Sequence, residues 1–247
     1  MAAENMAAGK LEAVFFDIDD TLYSTSEFAR RARVNAIRAM IRLGLKISVE
    51  DGMKELDEVV TEFSSNYTQH YDKLLSRLPP ESYAGINPAI LVASGMVAYH
   101  QTKFAELFPY PDVIEVLKLL ARTNLVRGVI TAGLTVKQAE KLVRLKVYDY
   151  LTPSAIFISD QIGISKPNPK LYLRACSDCR VSPGNAMYIG DNPFFDIDPP
   201  NEIGMITVRN RRSGKFIDAE GKTQPAFEIK SFWDLLPILR EKFGVKV

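Results

Sequence analysis

The sequence predicts a doubly wound α/β fold on a parallel sheet, with an all-helical domain inserted after the first strand. Short apolar runs alternate with helical patterns in the second half of the chain, and a long stretch before them carries helical pattern alone. Polar side chains stand directly after several of the apolar runs. Because strands that alternate with helices pair in parallel through right-handed crossovers, this order indicates one open sheet with helices on both faces.

The strands are predicted from runs that are apolar throughout, as is typical of strands buried on both faces of a sheet. These runs cover residues 13–16, 126–130, 155–158, 186–189 and 205–208. A further short strand and a final helix are expected in the tail, after a polar loop at 211–222.

The helices of the second half are predicted from apolar residues at helical spacing and from signals at their first turns. Thr135 and Gln138 are spaced as a capping box. Asn168 followed by Pro169 is typical of a helix start, with a capping side chain and a first-turn proline. The expected helices cover residues 112–121, 135–147 and 168–179.

The stretch between the first two predicted strands carries helical pattern without a convincing strand. We therefore expect an inserted helical domain over residues 23–107, and an α/β core formed by 11–22 and 108–247. Pro109 and Pro111 would mark the return of the chain to the sheet. Residues 1–10 are polar and rich in alanine, and we expect them to be disordered.

Composition excludes several classes of protein. The chain has 247 residues, of which 47% are hydrophobic and 25% charged, which is ordinary for a globular protein. Its formal net charge of +1 offers no field that would recruit nucleic acid or an anionic membrane. No apolar run reaches the ~18 residues of a membrane-spanning helix, and the start lacks the apolar segment of a secretory signal. We expect a cytoplasmic protein with neither kind of partner; the oligomeric state is not readable from the sequence.

Chemically active side chains follow the predicted strands. Asp17 and Asp19 come after the first strand, Thr131 ends the second, and Asp191 comes after the fourth. The loop that leaves the third strand carries the cation Lys166. Because ligands of open α/β sheets bind at the carboxyl ends of the strands, we expect these groups to converge. Clustered carboxylates repel one another unless a cation lies among them, and oxygen ligands without His or Cys favour Mg²⁺.

Four motifs together resemble those of the haloacid dehalogenase (HAD) superfamily. The run VFFDIDDTLY at 14–23 is similar to motif one, DxDxT after an apolar strand, and VITAG with Thr131 is similar to motif two. Lys166 in SKPNP resembles motif three, and GDNPFFD at 190–196 resembles motif four. All four occur in the family's order, and the helical insert is similar to the C1 cap of subfamily I. The resemblance extends over nearly the whole chain.

The resemblance implies a Mg²⁺-dependent phosphatase that hydrolyses small phosphorylated metabolites through an aspartyl-phosphate. Asp17 would be the nucleophile. Asp19 would protonate the leaving alkoxide and then deprotonate the attacking water. Lys166 would balance the acidic cluster and orient the nucleophile. The metal would be held by Asp17, Asp191 and the main-chain carbonyl of Asp19. The substrate would be bound by Thr131, Ala132 and Lys166.

Alternatives remain open at this point. Asp19 favours phosphate esters, because relatives that remove halogen from carbon lack an acid two positions after the nucleophile. The motifs do not separate a phosphatase from a phosphomutase that uses the same intermediate. A phosphonate hydrolase would need a Schiff-base lysine in the insert, for which Lys46, Lys54, Lys73 and Lys103 are available. A catalytically idle binding module has no need of Asp19.

Sugar phosphates, triose phosphates and nucleoside monophosphates are candidate substrates. The roles of Asp196 and Asp198 are also open.

Overall fold

A computed structural model describes residues 10–247 of the chain. It contains a parallel six-stranded sheet with the strand order β3-β2-β1-β4-β5-β6, which confirms the predicted doubly wound α/β fold. The expected disorder of residues 1–10 falls, except for residue 10, outside the described residues. The strands are β1 (Ala13–Phe16), β2 (Val126–Thr131), β3 (Ile156–Ile158), β4 (Ala186–Gly190), β5 (Ile206–Asn210) and β6 (Phe227–Ile229).

The sheet order creates a switch point between β1 and β4. From β1 the chain moves outward through β2 and β3, and it then returns to the other side of β1 to form β4, β5 and β6. Phe16 at the end of β1 is level with Val129 of β2 and with Ile189 of β4. The carboxyl ends of β1 and β4 therefore lie side by side at the position where open α/β sheets bind their ligands.

The central strand is buried on both faces. Phe15 packs on one face with Tyr172 and Tyr188, and Phe16 stacks on Phe232 on the other face, with ring centroids 5.7 Å apart. Full burial of one such side chain contributes roughly 1.5–3 kcal/mol. Cys176 packs in the same core as Phe15.

Helices cover the sheet and form the region between β1 and β2. Those in residues 10–25 and 108–247 are α5 (Pro111–Leu120), α6 (Thr135–Arg144), α7 (Ser159–Ile162), α8 (Pro169–Asp178), α9 (Asp198–Glu202) and α10 (Leu235–Phe243). As expected, the Asn168 side chain caps α8 and Pro169 is its first residue. Within residues 10–247 no helix combines the length and the apolar character that crossing a bilayer requires.

Residues 26–107 form a second compact unit, whose longer elements are all α-helices. Its core joins side chains such as Met40, Leu56, Leu74 and Leu91. Ser48 caps the second of these helices by accepting a hydrogen bond from the backbone N–H of Asp51. The helices are α1 (Thr25–Arg42), which begins at the last residue of the other unit, α2 (Val49–Phe63), α3 (His70–Arg77) and α4 (Pro88–Glu106).

The predicted capping box at the start of α6 is wrong. The Thr135 backbone N–H and hydroxyl both donate to the carboxylate of Asp160, at 2.9 and 2.6 Å. The backbone N–H of Gln138 donates to the carbonyl of Leu134 instead of to Thr135. The Gln138 side chain is buried, and its amide donates a hydrogen bond to the carbonyl of Ala132 in the turn after β2.

Candidate active site

Three buried carboxylates meet where β1 and β4 end. Asp17 directly follows β1, Asp191 directly follows β4, and Asp196 lies in a single π-turn at Pro193–Ile197. One carboxylate oxygen of each residue lies within 4.8 Å of those of the other two. The two motif aspartates that were expected to converge, Asp17 and Asp191, therefore do so at the switch point of the sheet.

Lys166 lies inside this cluster, as the sequence predicts. Its ammonium donates to Asp17 Oδ1 at 2.7 Å, to Asp196 Oδ1 at 2.7 Å and to the Tyr188 hydroxyl at 2.6 Å. Tyr188 in turn donates to the carbonyl of Ile130 at 2.8 Å. A lysine has three N–H donors, and all three are used here. Burial opposes its charge, but the two carboxylates outweigh that cost and hold the pKa of Lys166 above its usual value.

Asp196 is occupied by donors from this chain. Its Oδ1 accepts from Lys166 and, at 3.2 Å, from Tyr188, while its Oδ2 accepts from the backbone N–H of Asn192 at 3.0 Å. Gly190 makes room for it, because a Cβ at Gly190 would lie 2.4 Å from the Asp196 carboxylate. These contacts make Asp196 a support for the ammonium of Lys166.

The cluster carries more negative charge than the chain neutralises. Burial, followed by repulsion between neighbouring carboxylates, raises the pKa of Asp17 to about 7 and that of Asp191 to about 9, although Lys166 opposes both shifts. Three ionised carboxylates beside one ammonium leave two negative charges, which is the charge that a divalent cation balances. The donor atoms are all oxygen, the ligand type that suits Mg²⁺. The residues present therefore fit a hard divalent cation.

Asp19 lies apart from this cluster, in a separate set of hydrogen bonds. Its Oδ1 accepts from the hydroxyls of Tyr23 and Thr25, each at 2.7 Å. The ammonium of Lys141 contacts Oδ1 at 2.7 Å and Oδ2 at 2.6 Å. Burial opposes ionisation of Asp19, but Lys141 and the two hydroxyls outweigh it and hold the pKa of Asp19 below its usual value. The ionised form of Asp19, which these donors favour, is the form that can accept a proton from water.

The turn after β2 is held by Gln138. Thr131 is buried, and its hydroxyl is 3.4 Å from Gln138 Oε1, a weak hydrogen bond. The Gln138 amide donates to the carbonyl of Ala132 at 3.0 Å. Gly133 has a φ of 142° and sits so close to Gln138 that a Cβ would be 2.4 Å from its amide nitrogen. The predicted substrate-binding residues Thr131 and Ala132 are thus fixed in place by one side chain of α6.

Three residues that hold this site were missed from the sequence. Tyr188 reads as part of an apolar strand, yet a hydroxyl in a fully buried strand needs a partner, and that need is a usable signal. Gln138 and Lys141 lie one turn apart on α6, directly after the second motif. Their spacing is the same as that of polar residues on an ordinary solvated helix face. Only their position directly after the second motif could have indicated that they belong to the site.

A family model for haloacid dehalogenase-like hydrolases matches residues 11–204 of the chain. The chain therefore belongs to this family, as the four motifs predict.

Two relatives that match nearly the whole chain are phosphatases by name. It is 46% identical to the glyceraldehyde 3-phosphate phosphatase of Methanopyrus kandleri, over 94% of this chain and 98% of that protein. It is 35% identical to the protein of the same name from Methanocaldococcus jannaschii, over 93% of this chain and 97% of that one. These relatives confirm the prediction of a phosphoric monoester hydrolase.

Solved structures share the fold. The HAD phosphatase of Thermococcus onnurineus matches with a TM-score of 0.62 and 23% identity, over 93% of this chain and 98% of that one. The 2-haloacid dehalogenase of Pseudomonas syringae matches with a TM-score of 0.64 and 23% identity, over 94% of this chain and 99% of that one. At this identity the likeness establishes the α/β architecture alone.

Proposed function

We propose that this protein is a Mg²⁺-dependent phosphatase of small phosphorylated metabolites that works through an aspartyl-phosphate on Asp17. The observation that carries the proposal is the buried set of Asp17, Lys166, Asp191 and Asp196 at the switch point of the sheet. It offers a nucleophile oriented by an ammonium beside a cluster with an excess of negative charge. Bound Mg²⁺, held by Asp17, Asp191 and the main-chain carbonyl of Asp19, would neutralise charge on the phosphoryl oxygens.

The reaction is a double displacement at phosphorus. A carboxylate oxygen of Asp17 forms a bond to phosphorus while the bond from phosphorus to the ester oxygen breaks, and Asp19 gives a proton to that leaving oxygen. Asp19 then takes a proton from water as the water oxygen attacks phosphorus. The bond between the Asp17 carboxylate oxygen and phosphorus breaks in this step, which releases inorganic phosphate and restores the Asp17 carboxylate. The contact between Lys166 and Asp17 Oδ1 holds the nucleophile in one orientation throughout.

Groups beside Asp17 are suited to bind the phosphoryl oxygens. The Thr131 hydroxyl makes only a weak contact with Gln138, so it can donate to a phosphoryl oxygen at little cost. The backbone N–H of Ala132 and the charge of Lys166 add a donor and a cation. Positioning and charge stabilisation of this kind supply most of the barrier reduction in phosphoryl transfer.

Glyceraldehyde 3-phosphate is the proposed substrate. Two relatives named glyceraldehyde 3-phosphate phosphatase match this chain over more than nine tenths of their lengths. A triose phosphate is also among the small metabolites that the resemblance to capped HAD enzymes favours. We propose further that residues 26–107 act as the cap that selects the substrate. The cytoplasmic location and the lack of nucleic-acid and membrane partners stay predictions.

A panel of phosphorylated metabolites, assayed for released phosphate with and without Mg²⁺, tests the proposal. Turnover of glyceraldehyde 3-phosphate is expected to need Mg²⁺ and to stop in Asp17→Asn. Asp178→Asn is the matched control, since it alters an exposed carboxylate paired with Arg174. Robust activity of Asp17→Asn with an unchanged metal requirement would remove Asp17 as the nucleophile.

The phosphate-release assay, Mg²⁺ binding and a trapping experiment together separate the alternatives. A phosphomutase would move the phosphoryl group to a hydroxyl of a sugar monophosphate, and it would release little phosphate. A binding module would bind Mg²⁺ without turning over any ester of the panel. Trapping with borohydride would label the protein only if a lysine forms a Schiff base with a phosphonate substrate.

A further inference from the structure

We propose that Lys141 is a positioning residue that fixes the carboxylate of Asp19 for proton transfer, an inference that rests on the proposed phosphatase function. Lys141 is on α6, one turn after Gln138, and 122 residues from Asp19 in sequence. Lys141 lies outside the four motifs. Its ammonium reaches both oxygens of Asp19, at 2.7 and 2.6 Å.

The two carboxylate oxygens of Asp19 accept different numbers of hydrogen bonds, and Lys141 donates to both of them. Oδ1 accepts from Tyr23, Thr25 and Lys141. Among the described residues, Oδ2 has a hydrogen bond from Lys141 alone. Without the lysine, the carboxylate could turn about its contacts at Oδ1. A donor shared by both oxygens fixes the plane of the carboxylate and leaves Oδ2 with room to exchange a proton with substrate or water.

The pair is better placed to do this than an ordinary surface ion pair. The side chains of Lys141 and Asp19 are 17% and 32% exposed, whereas those of the pair Lys118 and Glu115 are 41% and 53% exposed. Exposed pairs hold their partners weakly because water screens them and because both side chains lose freedom. Thr25 is itself anchored, since its hydroxyl oxygen accepts from the backbone N–H of Asp20 at 3.1 Å. The support of Asp19 is therefore a connected network.

Lys166, the other lysine of the site, does not hold the carboxylate of Asp19. The three donors of Lys166 go to Asp17, Asp196 and Tyr188, so that lysine has none left for Asp19. The site thus divides its charges: one lysine orients the nucleophile, and a second lysine orients the acid and base. Loss of Lys141 is expected to leave nucleophilic attack intact and to weaken the steps that move a proton.

The first experiment measures steady-state turnover of glyceraldehyde 3-phosphate with Mg²⁺. Lys141→Met and Lys141→Ala are expected to lower kcat roughly 10- to 100-fold, because a misplaced proton-transfer group forfeits much of the ~100-fold or more that such a group contributes. KM should change little. Lys141→Arg should retain more activity than either variant. The control Lys118→Met, which removes the exposed ion pair, should match the wild type.

The second experiment uses 2,4-dinitrophenyl phosphate, whose leaving group needs no proton. The first turnover of this ester in Lys141→Met should keep the wild-type burst rate, since attack by Asp17 does not depend on Asp19. The following steady state should be slow, because hydrolysis of the aspartyl-phosphate needs a base. An equal fall in the burst rate and in the steady-state rate would show a general disturbance of the site and would overturn the inference.

A double-mutant cycle provides the decisive comparison. In an Asp19→Asn background, Lys141→Met should cost nothing further, because residues that act as a unit are not additive. The same fold loss in both backgrounds would mean that the lysine acts independently of Asp19, which overturns the proposal. So would wild-type kcat in Lys141→Met and Lys141→Ala. If the wild type itself hydrolyses neither ester, the proposed function fails and this inference fails with it.

Discussion

Two pairs of buried aspartates in the α/β unit have opposite electrostatics. Asp17 and Asp191 crowd together at the switch point, and their pKa values are raised because burial and neighbouring carboxylates outweigh the one ammonium. Asp112 and Asp198 are also buried, but donors surround them and hold their pKa values below the usual range in spite of burial. The first group has an excess of negative charge that fits a bound cation, whereas the carboxylates of the second group are neutralised by donors of the chain itself.

Asp112 shows how completely a structural carboxylate is compensated. Arg212 donates to both of its oxygens, at 2.7 and 2.8 Å. The hydroxyl of Ser231 and the backbone N–H of Phe232 donate to Oδ2, at 2.7 and 2.8 Å. These bonds tie the start of α5 to the start of the final helical segment. In contrast, no described residue donates a hydrogen bond to the carboxylate of Asp191. Buried carboxylates that lack internal donors are therefore the ones to examine for a ligand.

The largest effect is expected from Asp191→Asn on metal-dependent activity. The amide supplies only one oxygen and no charge, so Mg²⁺ would be held by a weakened set of ligands. Activity at limiting Mg²⁺ should fall by more than the ~10- to 100-fold that loss of an outer partner of a metal site costs. A titration of phosphate release against Mg²⁺ concentration measures this loss. An unchanged titration would show that Asp191 is not a metal ligand.

Asp112→Asn should have the largest effect on stability. It leaves Arg212 without its carboxylate partner and turns an amide N–H₂ toward groups that donate. The free energy of unfolding should fall by about 3 kcal/mol. Because the pKa of Asp112 is lowered by folding, its contribution is present above the usual pKa of an aspartate and is lost as pH falls below it. Urea unfolding at pH 7 and at pH 3.5 should therefore show a difference that shrinks in acid; an equal difference at both values would contradict the assignment.

The fold and the first group of carboxylates were predictable from the sequence for a physical reason. Runs that are apolar throughout predict buried parallel strands, and parallel strands bring the residues after them to one edge. Asp17, Lys166 and Asp191 follow from those two steps. Tyr188 and Lys141 did not follow, because their roles depend on partners in other elements, the carbonyl of Ile130 for Tyr188 and the carboxylate of Asp19 for Lys141, which periodicity does not report. Gln138 was misread because its spacing from Thr135 matches a capping box.

Asp191→Asn should also raise the free energy of unfolding, whereas Asp112→Asn should lower it. In metal-free protein the folded state holds the proton of Asp191 up to a pH of about 9, while the unfolded chain releases it near pH 4. Folding is therefore penalised increasingly as pH rises between these values. An uncharged amide avoids the penalty, so the variant should be more stable than the wild type at pH 8 in EDTA. Unfolding in urea at pH 4 should give no difference, and a less stable variant at pH 8 would break the comparison.

The smallest effect is expected from Asp198→Asn. This substitution tests a compensated carboxylate of the second group, whose donors lie in a loop. Asp198 accepts from the backbone N–H groups of Lys222 and Thr223, at 2.9 and 2.8 Å, and from the Thr223 hydroxyl at 2.7 Å. An amide can replace only one accepting oxygen, so the free energy of unfolding should fall by about 1 kcal/mol. Hydrogen exchange should quicken at the amides of Lys222 and Thr223 and stay unchanged in β1, because the loss is local. Faster exchange across the whole sheet would mean that Asp198 supports the core instead of the loop.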